Sequence, residues 1–557
     1  MKNIILKSRA LVLLVFALVF FSCQDDELIK KPNQSLKNQN LVARTASDPP
    51  YKEGASIILG ENKRNPYTVQ NMTTAWQYLL KTGLRPNAPA SIRTTHLYIK
   101  FKPKNSDEYE VLHADSTLSF SDFPIESTVI LNGDYYHDPS LPDSVPTYQY
   151  TAVKADYTFP KEIEYEILDK LYIPEEDAVF NYGNGGTDDC FVLKLLNQAY
   201  LQTGNTDDII EESECLSGTT ARRFRPGGRI RVFDTRLQQW IGMEGVRVQA
   251  RRWFTVLQAN TDFNGNFRMN HSVSKVCNYS IWFAQTRFAV RHNIVNTTFW
   301  VNGPKLSGDW NYDLNNGYQR FAGHVFRAGY RYNYKDIRGL QRPLRWAAGP
   351  LFTRKRTVYV AVDNTGSSSG TNWIIVPILK IWRYRDSNTE YMSDEVFSTT
   401  SHETGHTSHV IRMNTVLQYW QVSPELQESW ATAIEWYLTN IEYSERGIVN
   451  YGREDYFPVL PPVKPNSYAY QYWTKKHSEK YTSIYIDIVD NVNQLGVSYP
   501  ERGFGGVDDR VTGFTLPEIE VKMLKHIYGL SSLAQLLKDN KPAGVTDEQI
   551  DLLISHF

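Results

Sequence analysis

Cysteine is scarce in this chain of 557 residues: Cys23, Cys190, Cys215 and Cys277 are all it has. No CxxC pair occurs among them, so a zinc site built from thiolates is not expected. An excess of one charge is missing too. Sixty Lys and Arg against 61 Asp and Glu leave a formal net charge of -1, and no overall field would draw the protein to nucleic acid. The apolar run from Ala10 to Phe21 is too short to span a bilayer comfortably. The glycine cluster Gly183-Asn184-Gly185-Gly186 lacks a following Lys-Ser, so it reads as a loop and not as a phosphate cradle.

What stands around that apolar run is informative. Lys2, Lys7 and Arg9 precede it and Ser22-Cys23 follows, the layout of a cleaved signal sequence over residues 1–22. Ser22-Cys23 resembles a bacterial lipobox, with Phe20 where Leu is usual, which implies acylation of Cys23 and membrane attachment through the lipid. Each buried CH₂ of such a chain contributes about 0.8 kcal/mol. Gln24-Asp25-Asp26-Glu27 resembles the export signal of Bacteroidota lipoproteins, which implies the outer face of the outer membrane. Residues 23–50 are otherwise rich in Lys, Asn, Gln, Ser and Pro and read as a flexible tether.

The length allows about three domains of ordinary size. An aromatic content of 13%, with 35 Tyr and 13 Trp, suits either a surface that grips peptides or glycans or β-rich cores with satisfied hydroxyls. With Cys23 lipidated, three cysteines remain; Cys190 and Cys215 are the nearest pair, but spacing does not establish contact.

Residues 51–213 mix strands such as His96–Phe101 with a helical segment near Met72–Lys81 and read as an α+β domain carrying no recognisable chemistry. Its Ile173-Pro174-Glu175-Glu176-Asp177 resembles a stretch of Bacteroidota surface lipoproteins to which no activity attaches. From Gly227 the pattern alternates: Arg229–Phe233, then Gly245–Ala250, then Thr261-Asp262-Phe263-Asn264-Gly265-Asn266-Phe267. Period-two strands joined at Asn-Gly indicate a small antiparallel β-sandwich over 226–300, and the set resembles the carboxypeptidase regulatory-like domain. Asp262, Asn264 and Asn266 suggest a calcium loop only until Phe267 and Val273 are found where an EF-hand needs Gly and Glu; a turn is the better reading.

The stretch with chemistry is His402-Glu403-Thr404-Gly405-His406. By chance HExxH arises about once in a hundred chains of this composition. In a helix, residues four apart lie about 40° apart on one face, so both imidazoles can reach one Zn²⁺. Glu403, beside the first ligand, is placed to take a proton from a water attacking a carbonyl. The flanking Thr399, Thr400, Ser401, Thr404, Gly405 and Thr407 are small and uncharged, as a helix buried beneath an active site requires.

A catalytic zinc takes three protein ligands. The motif resembles that of the zincin metallopeptidases, although Ser408 stands where an apolar residue is usual. The metzincin continuation fails, because His409 occupies its glycine position and Arg412 that of its third histidine. Glu428–Leu438 resembles the ExxA helix of the gluzincins, which implies Glu428 as third ligand. The 22 positions from His406 to Glu428 exceed the usual interval, and Thr432 stands where thermolysin-like enzymes carry an aspartate. Glu435, one turn on, would orient a histidine instead. His409, two turns from His402, reads as a residue hydrogen-bonded behind the metal ligands or lying at the surface.

The resemblance further implies that Ile374–Trp382 is a substrate-binding edge strand and Tyr318–Tyr334 a backing helix. It also implies that a Tyr or His stabilises the oxyanion, with Tyr443, Tyr451, Tyr468, Tyr470, Tyr472 and His477 available. Asp487 and Asp490 read as solvated charges on a helix face.

The expectation is thus an α+β multidomain protein, with a mixed N-terminal domain, a β-sandwich and a zincin-like domain over 301–557 whose HExxH helix lies under an edge strand. The expected activity is zinc-dependent endopeptidase hydrolysis of extracellular proteins or glycoproteins at the bacterial surface. The competing expectation is a non-catalytic surface lipoprotein that captures glycan or protein and keeps the zincin fold as a scaffold.

Overall fold

The computed structural model describes residues 49–115, 117–180, 188–210, 224–273, 276–292, 297–343, 357–365, 370–372, 378–413, 415–447, 481–491, 493, 495 and 507–557. The expected signal sequence, Cys23, most of the tether, Gly183–Gly186 and Cys215 lie outside them. The chain is α+β and forms two compact units. One runs to Arg327, and the other takes up the chain at Ala328 and holds Val358–Phe557. No helix among the described residues is long and apolar enough to cross a membrane.

In the first unit, β1 (Ile58–Asn62) pairs with β3 (Ser127–Leu131), and β2 (His96–Lys102) is the middle strand of an antiparallel sheet between β4 (Gln149–Lys154) and β5 (Glu164–Leu171). Alternation along β2 sends Tyr98 to one face and Ile99 and Phe101 to the other. Tyr98 joins Met72 and Leu79 of α1 (Val69–Lys81) and Phe191, Leu195 and Tyr200 of α3 (Asp189–Thr203) in one core. Ile99 and Phe101 meet Leu112 of α2 (Ser106–Ala114) in another. Cys190 and Cys277 carry free thiols.

The strands expected within residues 226–300 form two sheets that take in more of the chain than the sequence pattern suggested. β6 (Gly227–Asp234) pairs with β7 (Gln239–Gly242) and β10 (Asn266–Arg268), and also, in parallel, with β14 (Trp310–Leu314). The facing sheet runs β13 (Trp300–Leu306), β11 (Cys277–Trp282), β8 (Arg247–Arg252), β9 (Thr255–Asn260), and between β11 and β13 in the chain comes the buried β12 (Phe288–Arg291). Phe267, Tyr279 and Trp310 bring their rings together between the sheets. β13 and β14 extend these sheets past the expected end at residue 300 to Leu314, and every one of these pairings but β14 with β6 is antiparallel. Short-range alternation cannot reveal a parallel partner some 80 residues away. The Asp262 loop is the expected turn: its Oδ1 accepts from the amides of Asn264 (2.9 Å) and Asn266 (2.8 Å), and Gly265 takes φ +81°.

α4 (Gly317–Tyr334) buries Phe321, Val325, Ala328 and Tyr332. In the second unit, β17 (Ile378–Asp386) buries Leu379, Ile381 and Arg383 in strict alternation; residues 374–377 of the expected strand are outside the described ones. It is not an edge strand. β15 (Thr357–Thr365) lies parallel on one side, while β16 (Gly370–Asn372) and β18 (Thr389–Glu390) pair with the other. An apolar, β-branched run marks a strand without saying how many neighbours it has.

Candidate metal centre

The HExxH residues lie in α5 (Ser393–Arg412), a helix begun by Glu395, whose Oε2 accepts from the Met392 amide at 2.6 Å. A buried helix this rich in Ser and Thr must satisfy its hydroxyls, and they turn back on the helix itself. Thr400 donates to the Val396 carbonyl (2.7 Å), Ser401 to Phe397 (3.0 Å) and Thr404 to Thr400 (2.8 Å). α7 (Pro424–Glu445), started by a proline where no amide donor is needed, lies antiparallel to it. Phe397 meets Tyr443, His402 meets Glu435, and His406 meets Glu428, so rising numbers in α5 match falling ones in α7.

These helices bring the predicted ligands together. Glu428 Oε2 is 3.2 Å from His402 Nε2 and 3.0 Å from His406 Nε2. One ligand atom from each of the three side chains falls within 4.8 Å of the others. Donors on a tetrahedral zinc, at bond lengths near 2.1 Å, stand about 3.4 Å apart. The other ring nitrogens are engaged behind the site: His402 Nδ1 lies 3.1 Å from Glu435 Oε2, and His406 Nδ1 3.0 Å from the Tyr419 hydroxyl. With Nδ1–H donating backwards, each Nε2 presents a lone pair inwards. Two lone pairs and a carboxylate oxygen facing one another suit a divalent cation. Glu403 follows His402 in the helix and is fully buried.

Tyr419 was not anticipated. It lies in α6 (Val416–Tyr419), a short helix packed on α5, and no periodicity or motif marks it. Tyr481 was not anticipated either; its ring centroid is 6.0 Å from that of His402, and Thr482 beside it is bound to Ser429 at 2.7 Å. Of the residues proposed for the oxyanion, Tyr451, Tyr468, Tyr470, Tyr472 and His477 lie outside the described residues. Tyr443 is buried against Phe397, about 22 Å along α7 from Glu428 at 1.5 Å per residue. It does not stand at the centre.

Other expectations need correction. His409 is neither hydrogen-bonded nor at the surface: it is fully buried, neither ring nitrogen has a partner among the described residues, and the ring packs on Tyr419 and Trp430. Burial, aided by His406, pushes its pKa down to about 3, so it serves as a neutral, apolar filler. Arg412 pairs with buried Glu520 at 3.4 Å. Asp487 is not solvated; it is fully buried and accepts from Ser483 at 2.7 Å.

No family model, curated protein or solved structure matches this chain.

Proposed function

We propose that the second unit is a zinc-dependent metalloendopeptidase of gluzincin type, which hydrolyses peptide bonds of extracellular proteins or glycoproteins and is lipid-anchored through Cys23 at the bacterial outer membrane. The observation that carries this reading is the meeting of both Nε2 atoms at one oxygen of Glu428, with each Nδ1 held from behind. His402, His406 and Glu428 would hold the ion. Zinc supplies Lewis acidity to the peptide carbonyl when bound. Glu403 takes the proton of the attacking water and returns it to the leaving amine. Glu435 and Tyr419 keep the two imidazoles in the tautomer and orientation that direct Nε2 inwards. The buried, small-residue face of α5 keeps bulk water from the back of the site.

Zinc analysis combined with cleavage of a protein library tests the proposal. The purified protein is expected to carry about one zinc per chain, and its cleavage should stop with chelator and return with added zinc. A zinc-free protein that binds polysaccharide and cleaves nothing would instead favour the surface-capture role.

The two supports differ in charge, and this sets a graded expectation. Removing the Glu435 carboxylate by Glu435→Gln should weaken zinc binding about 10- to 100-fold. Tyr419→Phe removes only a neutral partner and should cost less. Competition with a chelator of known affinity reads both, and an equal loss in the two variants would remove the distinction.

A further inference from the structure

The convergence of three ligands depends on how closely α5 and α7 approach, and one position controls that approach. A Cβ added at Gly405 would stand 3.0 Å from the Ala431 Cα, 3.2 Å from the Ile434 Cβ and 3.4 Å from the Ala431 carbonyl oxygen. Two of these neighbours are backbone atoms and the third is the root of a side chain, so none can swing aside. Carbon atoms rest at about 3.5–4.0 Å from one another. A side chain at 405 therefore requires the facing helix to give way by a few tenths of an ångström.

Gly405 sits between the two histidines, three residues after His402 and directly before His406. Ala431 sits between the two glutamates of α7, three residues after Glu428 and four before Glu435. A ligand and its support thus lie within about one turn of the contact on both helices. Parting the helices here moves Glu428 away from both Nε2 atoms and Glu435 away from His402 Nδ1. Metal–ligand distances keep to within about ±0.2 Å, a margin of the same size as the displacement a Cβ demands. Gly405, directly before the second histidine, has no role in ligation, and glycine in a helix interior is intrinsically unfavourable, so its presence calls for a packing reason.

We propose that Gly405 is a positioning residue: its missing side chain sets the spacing of α5 and α7 that makes His402, His406 and Glu428 a single metal site. This rests on the metal-binding role proposed above, and its test separates the two. Wild-type protein, G405A and G405S are titrated with zinc against a chelator, with circular dichroism of the metal-free forms as the check on folding. The expected result is a folded G405A whose zinc dissociation constant rises at least tenfold, with a larger rise in G405S. A G405A that binds zinc within twofold of wild type overturns the inference while leaving the metal site standing.

A second readout needs no metal. In a crystal structure of metal-free G405A, the Glu428 Oε2 distances to the two Nε2 atoms should lengthen beyond the 3.2 and 3.0 Å of the native chain. Unchanged distances overturn the inference whether or not the wild type binds zinc. If G405A does not fold, Ala431→Val brings bulk to the same contact from α7 and is held to the same two outcomes.

Discussion

Glu403→Gln is expected to lower kcat by about 10²- to 10⁴-fold, the range supplied by a positioned acid–base group, while zinc remains bound. Gln matches Glu in size and shape, so packing is kept. Gln also keeps one carbonyl oxygen as an acceptor at this fully buried position, so the variant should fold. The ligands are untouched, so zinc content should equal that of the native protein. Loss of turnover with metal retained separates a proton carrier from a ligand or a structural residue. Full hydrolysis by E403Q would remove Glu403 from the chemistry, and loss of zinc would move it into the metal site.

The second large effect concerns stability. Arg331, at the end of α4, has a side chain with no exposure to solvent, and its guanidinium donates to Glu442 Oε2 at 2.9 and 2.6 Å. It also pairs with Glu445. Glu442 is itself buried and shared with Arg446 at 2.7 Å. Both glutamates lie in α7, downstream of Glu428 and Glu435 on the same helix. Burial opposes the charge on Arg331, but hydrogen bonds and the two carboxylates outweigh it and raise the pKa further.

Breaking such a pair on one side leaves a buried carboxylate without its main counter-charge, which costs about 3–5 kcal/mol. Arg446 softens this for Glu442, so Arg331→Met should destabilise the second unit by about 3 kcal/mol. Combining it with Glu442→Met should recover part of the loss. Urea unfolding of the metal-free protein measures both. A single variant within about 1 kcal/mol of native stability would show that the cluster adds little beyond packing.

Part of the tyrosine content has a plain structural origin. Tyr67, Tyr98, Tyr109, Tyr172, Tyr200, Tyr279, Tyr318, Tyr332, Tyr359 and Tyr443 are all fully buried. Many of their hydroxyls have polar partners, as Tyr67 does with Glu175 and Tyr200, and Tyr359 with Thr404. These rings fill cores and leave the gripping surface, the other reading of the composition, without their support.

What the sequence could determine alone was local. A four-residue spacing puts two histidines on one face of any helix that contains them, and alternation with an Asn-Gly turn makes strands and a hairpin, because both depend on backbone geometry within a few residues. The tertiary structure decided whatever depends on two distant segments meeting. It set β17 inside its sheet, carried β14 back to β6, removed His409 and Asp487 from water, and brought Tyr419 and Tyr481 to the histidines. Those outcomes follow from packing between segments tens of residues apart, where no period in the sequence can register. Glu428 lies between the two cases: its helix could be named from its neighbours, but its distance to the imidazoles depends on how closely a glycine lets two helices approach.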